Sequence, residues 1–281
     1  MDKNVRAGKA PAEYDTRKFP AIGLMQHIPR KRFGQHFLID DQVVSAIIAA
    51  ISPQGVDSIV EIGPGLGALT RPLLARLNHL HVIEIDRDIV ARLTREFSAE
   101  RLTIHNSDAL CFDFARLGEN LRVVGNLPYN ISSQIMFHLG RFAHRMRDLH
   151  LMLQKEVVER MAAAPSTAAF GRLSVMLQYR YNMEQLLVVP SNAFRPAPKV
   201  ESAVIRLIPR AALELQAKDE ELFAKIVTRA FTQRRKTLRN ALKLHLAARD
   251  FERLNLDPGL RAENLSSDDF VRISNYLGKQ D

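Results

Sequence analysis

Ser58-Ile59-Val60-Glu61-Ile62-Gly63-Pro64-Gly65-Leu66-Gly67 reads as a buried strand running into a glycine loop. Leu69, Leu73, Leu74 and Leu77 follow with helical spacing. Strand, glycine loop and helix make the nucleotide-binding opening of a doubly wound sheet, because glycines at Gly63 and Gly65 let the backbone approach a ligand. The next apolar run, His81-Val82-Ile83-Glu84-Ile85-Asp86, is a second strand. Glu84 lies 21 residues after Gly63, the distance at which an acidic side chain grips ribose hydroxyls. Glu84 and Asp86 could instead cap the helix expected at 88–97; that role suits Asp86, and the ribose role suits Glu84.

Two more strands extend the pattern. The first, 102–105, ends in Asn106-Ser107-Asp108-Ala109, where Asp108 could bond the amine of an adenine ring or simply cap its turn. The second, 121–124, delivers Asn126-Leu127-Pro128-Tyr129. A carboxamide oxygen on Asn126 can accept a hydrogen from an exocyclic amine. Pro128 fixes φ and removes a donor, so a neighbouring backbone carbonyl can take the amine's second hydrogen, and Tyr129 offers a stacking face. Asn and Pro are also ordinary turn residues, so the four-residue stretch alone leaves both readings open. The glycine loop, Glu84, Asp108 and Asn126 fall at the ends of four successive strands, hence at the one sheet edge where ligands bind in open α/β folds. A dinucleotide dehydrogenase would have no use for the amine-gripping stretch.

Outside this sheet edge the chain is less regular. Residues 1–28 mix charges without periodicity, which predicts a disordered arm. Arg30-Lys31-Arg32 then runs into Phe33-Gly34-Gln35-His36-Phe37-Leu38; cations interleaved with rings suit an RNA backbone with exposed bases, or a solvated arm. Asp40 can cap a helix carrying Val43, Val44, Ile47, Ile48 and Ile51. Helices at 131–139 and 155–163, a strand at 149–153, a mobile loop at 162–171 and a hairpin-like pair of strands at 184–189 and 203–208 are expected next. Between the last two, prolines at 196 and 198 stiffen the stretch from Phe194 to Val200.

From about 210 the pattern is helix only. Residues 225–249 carry eight Lys or Arg and no acid, among them Arg234, Arg235, Lys236 and Arg239, which favours a nucleic-acid surface. On one continuous helix Arg234 and Arg235 would fall on the apolar face with Phe223, Val227 and Phe231, so a break near 233–237 is expected. A capping signal at Ser266-Ser267-Asp268-Asp269 begins a last helix. The organisation predicted is an arm at 1–28, a doubly wound, Rossmann-like α/β domain at 29–209 and a small all-helical domain at 210–281.

The totals agree with a nucleic-acid partner. Forty Lys and Arg against 31 Asp and Glu leave a formal charge of +9. One cysteine, Cys111, excludes an intramolecular disulfide and fits a reducing cytoplasm, and no Cys or His cluster has metal-ligand spacing, so no metal is expected. No apolar run reaches membrane-spanning length and the charged start lacks a signal-peptide core, which predicts a protein with no membrane partner.

Glu61-Ile62-Gly63-Pro64-Gly65-Leu66-Gly67-Ala68-Leu69-Thr70, Glu84-Ile85-Asp86 and Asn126-Leu127-Pro128-Tyr129-Asn130 resemble the motifs of the S-adenosylmethionine-dependent rRNA adenine dimethylases. Phe33 to Leu38, Leu153-Gln154-Lys155-Glu156-Val157, Phe194 to Val200 and Phe231 to Leu238 resemble the small-subunit branch of that family. The resemblance runs from about residue 30 to the C-terminus. It implies an enzyme that turns two adjacent adenosines near the 3′ end of 16S rRNA, in the immature small ribosomal subunit, into N6,N6-dimethyladenosine. It implies S-adenosylmethionine as cofactor, held by His36, Leu38, Gly63, Gly65, Glu84, Asp108 and Asn126, with His36 standing where many members carry Asn. Asn126 and the Leu127 carbonyl would hold the amine's hydrogens beside Pro128, and Tyr129 and Phe194 would clamp the two faces of the base. Arg30, Lys31, Arg32, Arg234, Arg235, Lys236 and Arg239 would meet RNA, and the protein would act as a monomer. A related methyltransferase acting on large-subunit rRNA or DNA, and a mainly non-catalytic assembly factor, are the alternatives.

Overall fold

The computed structural model describes residues 34–210 and 216–279. The arm expected at 1–28 and the cations Arg30, Lys31 and Arg32 lie outside the described residues.

Five strands run parallel: β2 (Ile59–Ile62), β3 (Leu80–Glu84), β4 (Leu102–Asn106), β5 (Leu121–Asn126) and β6 (Met146–Gln154). β7 (Tyr181–Val189) and β9 (Ser202–Pro209) complete a seven-stranded sheet of order β4-β3-β2-β5-β6-β9-β7. The two late strands pair antiparallel, as the sequence suggests, and β9 also inserts beside β6. β2 has β3 on one side and β5 on the other, so the chain reverses its winding direction at β2 and opens a crevice at the strands' C-terminal ends.

Apolar residues alternate between the two faces along each strand. Leu149, Leu151 and Leu153 pack into one core with helix α4 (Ser132–Gly140), while Met152 joins another with Ile47, Ile48 and Ile51 of α1 (Asp41–Ile51). α1 begins where its sequence predicts, with the Asp40 carboxylate accepting the Gln42 and Val43 N–H groups at 2.9 and 3.1 Å. α2 (Thr70–Leu74) is shorter than the 69–77 spacing suggests, but Leu77 is still buried and its N–H closes back on Leu73. β3 stops at Glu84, so Asp86 lies in the following turn and caps α3 (Arg87–Glu96) through the Asp88 N–H.

Two sequence expectations need correction. Residues 162–171 are not a free loop: Phe170 is fully buried, the Ser166 N–H bonds the Glu263 carbonyl at 2.7 Å, and Arg234 bonds the Ala168 carbonyl at 2.8 Å. Small polar residues conceal these long-range ties. Beyond α5 (Lys155–Ala162) the chain also forms a helix that its sequence does not announce, α6 (Arg172–Gln178). Its Val175, with Phe170 and Tyr179, packs into the same core as α7 (Glu220–Thr232), α8 (Leu238–Ala241), α9 (Ala248–Leu254) and α10 (Ser267–Leu277). The helical core thus reaches back across residue 210. The break between α7 and α8 falls where the two arginines require it, and Ser266 and Asp269 cap α10 reciprocally. No helix among the described residues is long and apolar enough to cross a membrane.

Candidate active site

The loop after β2 turns the chain through left-handed φ, with Gly63 at +64° and Gly65 at +54°. A Cβ on Gly65 would lie 3.2 Å from the Phe37 ring. The loop therefore bends under the segment Gly34–Leu38, and together they border a cavity of about 240 Å³. His36, Leu38, Gly63, Gly65, Glu84, Asp108, Asn126, Leu127, Pro128 and Tyr129 all line it. Residues from five separate stretches of chain thus meet in one cleft.

The carboxylates occupy one part of that cleft. Glu84 is 6% exposed; its Oε1 accepts the Asp86 N–H at 2.8 Å, and burial raises its pKa above the ordinary value, partly offset by backbone N–H groups of Asp86, Gly65 and Ile85. Glu61 also lines the cavity, which the sequence reading missed. The available signal was an acid inside the otherwise apolar run Ile59–Ile62. It is 2% exposed, accepts the Thr70 hydroxyl at 2.7 Å, and is pushed up to about 7 by burial, with Glu84's charge adding to the rise. Asp108 uses Oδ1 to accept the Leu110 N–H at 2.9 Å, the turn-capping role open to it from the sequence, while still facing the cavity. Gln35 Nε2 donates to Asp86 at 3.2 Å and ties the 34–38 segment to the end of β3.

The Asn126–Tyr129 stretch leaves β5 at Asn126. Asn126 Nδ2 donates to the His36 carbonyl at 3.0 Å. A carbonyl can only accept, so this contact fixes the amide's orientation and leaves Oδ1 as the acceptor. The Leu127 N–H is taken by the Met152 carbonyl at 3.1 Å, and among the described residues no donor reaches the Leu127 carbonyl. His36 Nδ1 donates to the Pro196 carbonyl at 2.7 Å, and its ring stacks on Tyr129 at 5.5 Å and 24°. The Tyr129 hydroxyl meets Ser202 Oγ at 2.6 Å.

Phe194 is placed differently from its expected role. It does not line the cavity; it is 3% exposed, in the two-residue strand β8 (Phe194–Arg195) paired antiparallel with β1 (Phe37–Leu38). The ring lying on Tyr129 in this structure is His36. An apolar ring in a strand pairing is drawn into the core, and proline stiffness beside it does not change that.

On the helical side, Arg235, Lys236 and Arg239 are exposed and form no ion pair among the described residues. Arg234 differs: its guanidinium bonds Glu263 at 2.8 Å and the Ala168 carbonyl, holding the 162–171 segment down.

The profile of the family described as ribosomal RNA adenine dimethylase matches residues 26–279. A Thiobacillus denitrificans protein called ribosomal RNA small subunit methyltransferase A is 62% identical over 251 residues, covering 89% of this chain and 98% of its own. A Nitrosospira multiformis protein of the same name is 60% identical over 255 residues, covering 91% and 98%. Among solved structures, a dimethyladenosine transferase from Plasmodium falciparum superposes with a TM-score of 0.75 at 25% identity, over 87% of this chain and 98% of that one. The 23S rRNA methyltransferase ErmE superposes at 0.69 with 24% identity, over 86% and 99%, a likeness of fold. The match spans the cleft and the helical core alike, and the chain belongs to the ribosomal RNA adenine dimethylase family.

Proposed function

We propose that this dimethylase acts as a monomer in the cytoplasm on the immature small ribosomal subunit, converting two adjacent adenosines near the 3′ end of 16S rRNA to N6,N6-dimethyladenosine. Its relatives in two bacteria bear the small-subunit name at about 60% identity, which supports that choice of rRNA.

The cleft fits S-adenosylmethionine, the family's cofactor. Its glycine loop turns at Gly65 through a left-handed φ of +54°, where a Cβ would press on the Phe37 ring at 3.2 Å, and Glu84 is a buried acceptor on the neighbouring strand. Glu84 would hold the ribose hydroxyls, Asp108 with its remaining oxygen the adenine amine, and His36, Leu38, Gly63, Gly65 and Asn126 the surrounding walls. Glu61 would face the ligand's cationic part. The cofactor supplies a methyl group already activated on a sulfonium.

The chain's own task is then alignment. An adenine amine is a poor nucleophile because its lone pair is delocalised into the ring. Asn126 Oδ1 and the Leu127 carbonyl would take its two hydrogens and turn the lone pair out of conjugation. Tyr129 would hold the extruded base by one face. Orientation of this kind can contribute about 7–11 kcal/mol, and no dedicated base is needed because the product ammonium loses its proton readily. Phe194 would supply a second face only by leaving its buried position, a role that rests on the family resemblance. Arg235, Lys236 and Arg239, with Arg30, Lys31 and Arg32 of the N-terminal stretch, would meet phosphates; Arg234 would contribute less because Glu263 holds it.

The observation that carries the reading is the Asn126 amide, held by His36 so that Oδ1 is the free acceptor in the cleft that Glu84 lines. Incubation with labelled S-adenosylmethionine and separately with undermethylated small and large subunits tests it. Dimethyladenosine confined to small-subunit rRNA is expected; label on large subunits alone would overturn it.

A further inference from the structure

Ser202 is a polar residue in an unusual place. It begins β9, is 0% exposed, and sits between Gln154 of β6 and Val189 of the edge strand β7. A buried hydroxyl is costly unless it is bonded. The Ser202 hydroxyl is satisfied by the Tyr129 hydroxyl, 2.6 Å away and 73 residues distant in sequence. That bond runs from a rigid strand to the ring on which the substrate base would stack.

Resting on the function proposed above, we propose that Ser202 is a positioning residue that fixes the plane of Tyr129 and matters chiefly for the second of the two methyl transfers to each adenosine. The two transfers differ in how many hydrogens the amine carries. In the first transfer the amine offers two hydrogens, and Asn126 Oδ1 with the Leu127 carbonyl can hold both. A monomethylated amine offers one, so one of the two acceptors is left without a partner. The base is then oriented by a single hydrogen bond and by the ring it stacks on. Tyr129 therefore carries a larger share of alignment in the second step. Its ring is pinned by His36 on one face and by Ser202 at the hydroxyl. Partial burial raises the Tyr129 pKa, so the hydroxyl keeps its hydrogen and can serve as the donor.

The test is single-turnover methylation of undermethylated small subunits, with N6-methyladenosine and N6,N6-dimethyladenosine measured separately against time. Ser202→Ala and Tyr129→Phe each delete the same bond, one from the buried strand and one from the cavity side, so a folding defect at Ser202 does not remove the test. In both, the second step should slow by roughly 2- to 12-fold, the effect of one neutral hydrogen bond, while the first step changes much less and monomethylated product accumulates. The double variant should match either single one, because the bond can be removed only once. Equal slowing of both steps, an unchanged product ratio, or a double variant whose defect is the product of the two singles would overturn the proposal. A wild-type protein that forms no dimethyladenosine on small subunits would overturn the functional reading itself, and this proposal with it.

Discussion

Replacing Glu61 by glutamine measures what a buried carboxylate costs the folded protein. The side chain sits on β2 at 2% exposure, with one bond, from the Thr70 hydroxyl. Burial dominates its titration, Glu84's negative charge adds to it, and the two outweigh the Thr70 bond and Arg71, so the carboxyl rises from an ordinary 4.5 to about 7. Between those values the folded protein binds more protons than the unfolded chain. Stability from this group is therefore present below about pH 4.5 and is lost as pH rises through about 7. The full loss is roughly 3 kcal/mol, at about 1.4 kcal/mol for each pH unit between the two values. Glutamine keeps an acceptor for Thr70 and does not titrate. Urea unfolding of cofactor-free protein should show Glu61→Gln and wild type nearly equal close to pH 4.5, and the variant more stable by up to roughly 3 kcal/mol above about pH 8. Because Glu84 shares the cleft, the transition belongs to both carboxylates and will be broad. Stability curves that stay parallel across the range would refute the reasoning. A cationic ligand beside Glu61 favours its charged form, so cofactor binding near pH 7 should release part of a proton in wild type and less in Glu61→Gln. Calorimetry in buffers of different ionisation enthalpy reads this directly.

The other predictions concern binding, catalysis and the sheet. Glu84→Ala should weaken S-adenosylmethionine by about 1.5–3 kcal/mol, the range for a hydrogen bond to a charged group, and an unchanged affinity in titration calorimetry would remove Glu84 from the ribose. Asn126→Ala should lower the single-turnover rate by roughly 10²-fold, as for removal of one preorganised hydrogen bond, with cofactor affinity only modestly reduced. A wild-type rate would make Asn126 a mere turn residue. Neutralising Arg235, Lys236 and Arg239 together should reduce the salt dependence of subunit binding, by roughly 0.7–0.9 in slope for each phosphate no longer neutralised. An unchanged slope would place the RNA face elsewhere. Arg122 is buried against Asp148 at 2.9 Å and Asp57 at 2.7 Å, so Arg122→Met should destabilise by about 3–5 kcal/mol in chemical denaturation by leaving the buried Asp148 carboxylate without its arginine, whereas Asp57 keeps Arg147 at 3.2 Å.

The sheet was legible in the sequence because parallel strands in such folds are buried on both faces. Ile59–Ile62, Leu80–Glu84 and Leu121–Asn126 therefore stand out as mostly apolar runs despite Glu61, His81 and Arg122 within them. The break between α7 and α8 was legible because two arginines would otherwise have faced the core. α6 was not. Its seven residues are too few for a clear period, and Phe170 and Tyr179 beside it are buried against helices some 50 residues further on. No local window contains that information. The ties of the preceding loop were hidden for the same reason, since they run to Arg234 and Glu263.

The same distinction sorts the site residues. Gly63, Glu84, Asp108 and Asn126 share a cleft because each lies at or just beyond the C-terminal end of a strand, and parallel pairing puts all those ends on one edge. Strand order alone dictates that, so the carboxylates and the amide could be placed without coordinates. His36 and Phe194 arrive by another route, a pairing of two residues with two residues across more than 150 positions of chain. Such a pairing has no periodicity to read. It decides both that the Phe194 ring is buried and that His36, through its carbonyl and its ring, touches Asn126 and Tyr129 at once. The segment at 34–38 therefore makes two ties: Gln35 bonds Asp86 beyond the end of β3, and the His36 carbonyl orients the Asn126 amide beyond β5. Under the proposed function, one short segment would thus touch both the cofactor side and the base side of the cleft, through contacts between distant parts of the chain that strand order cannot reveal.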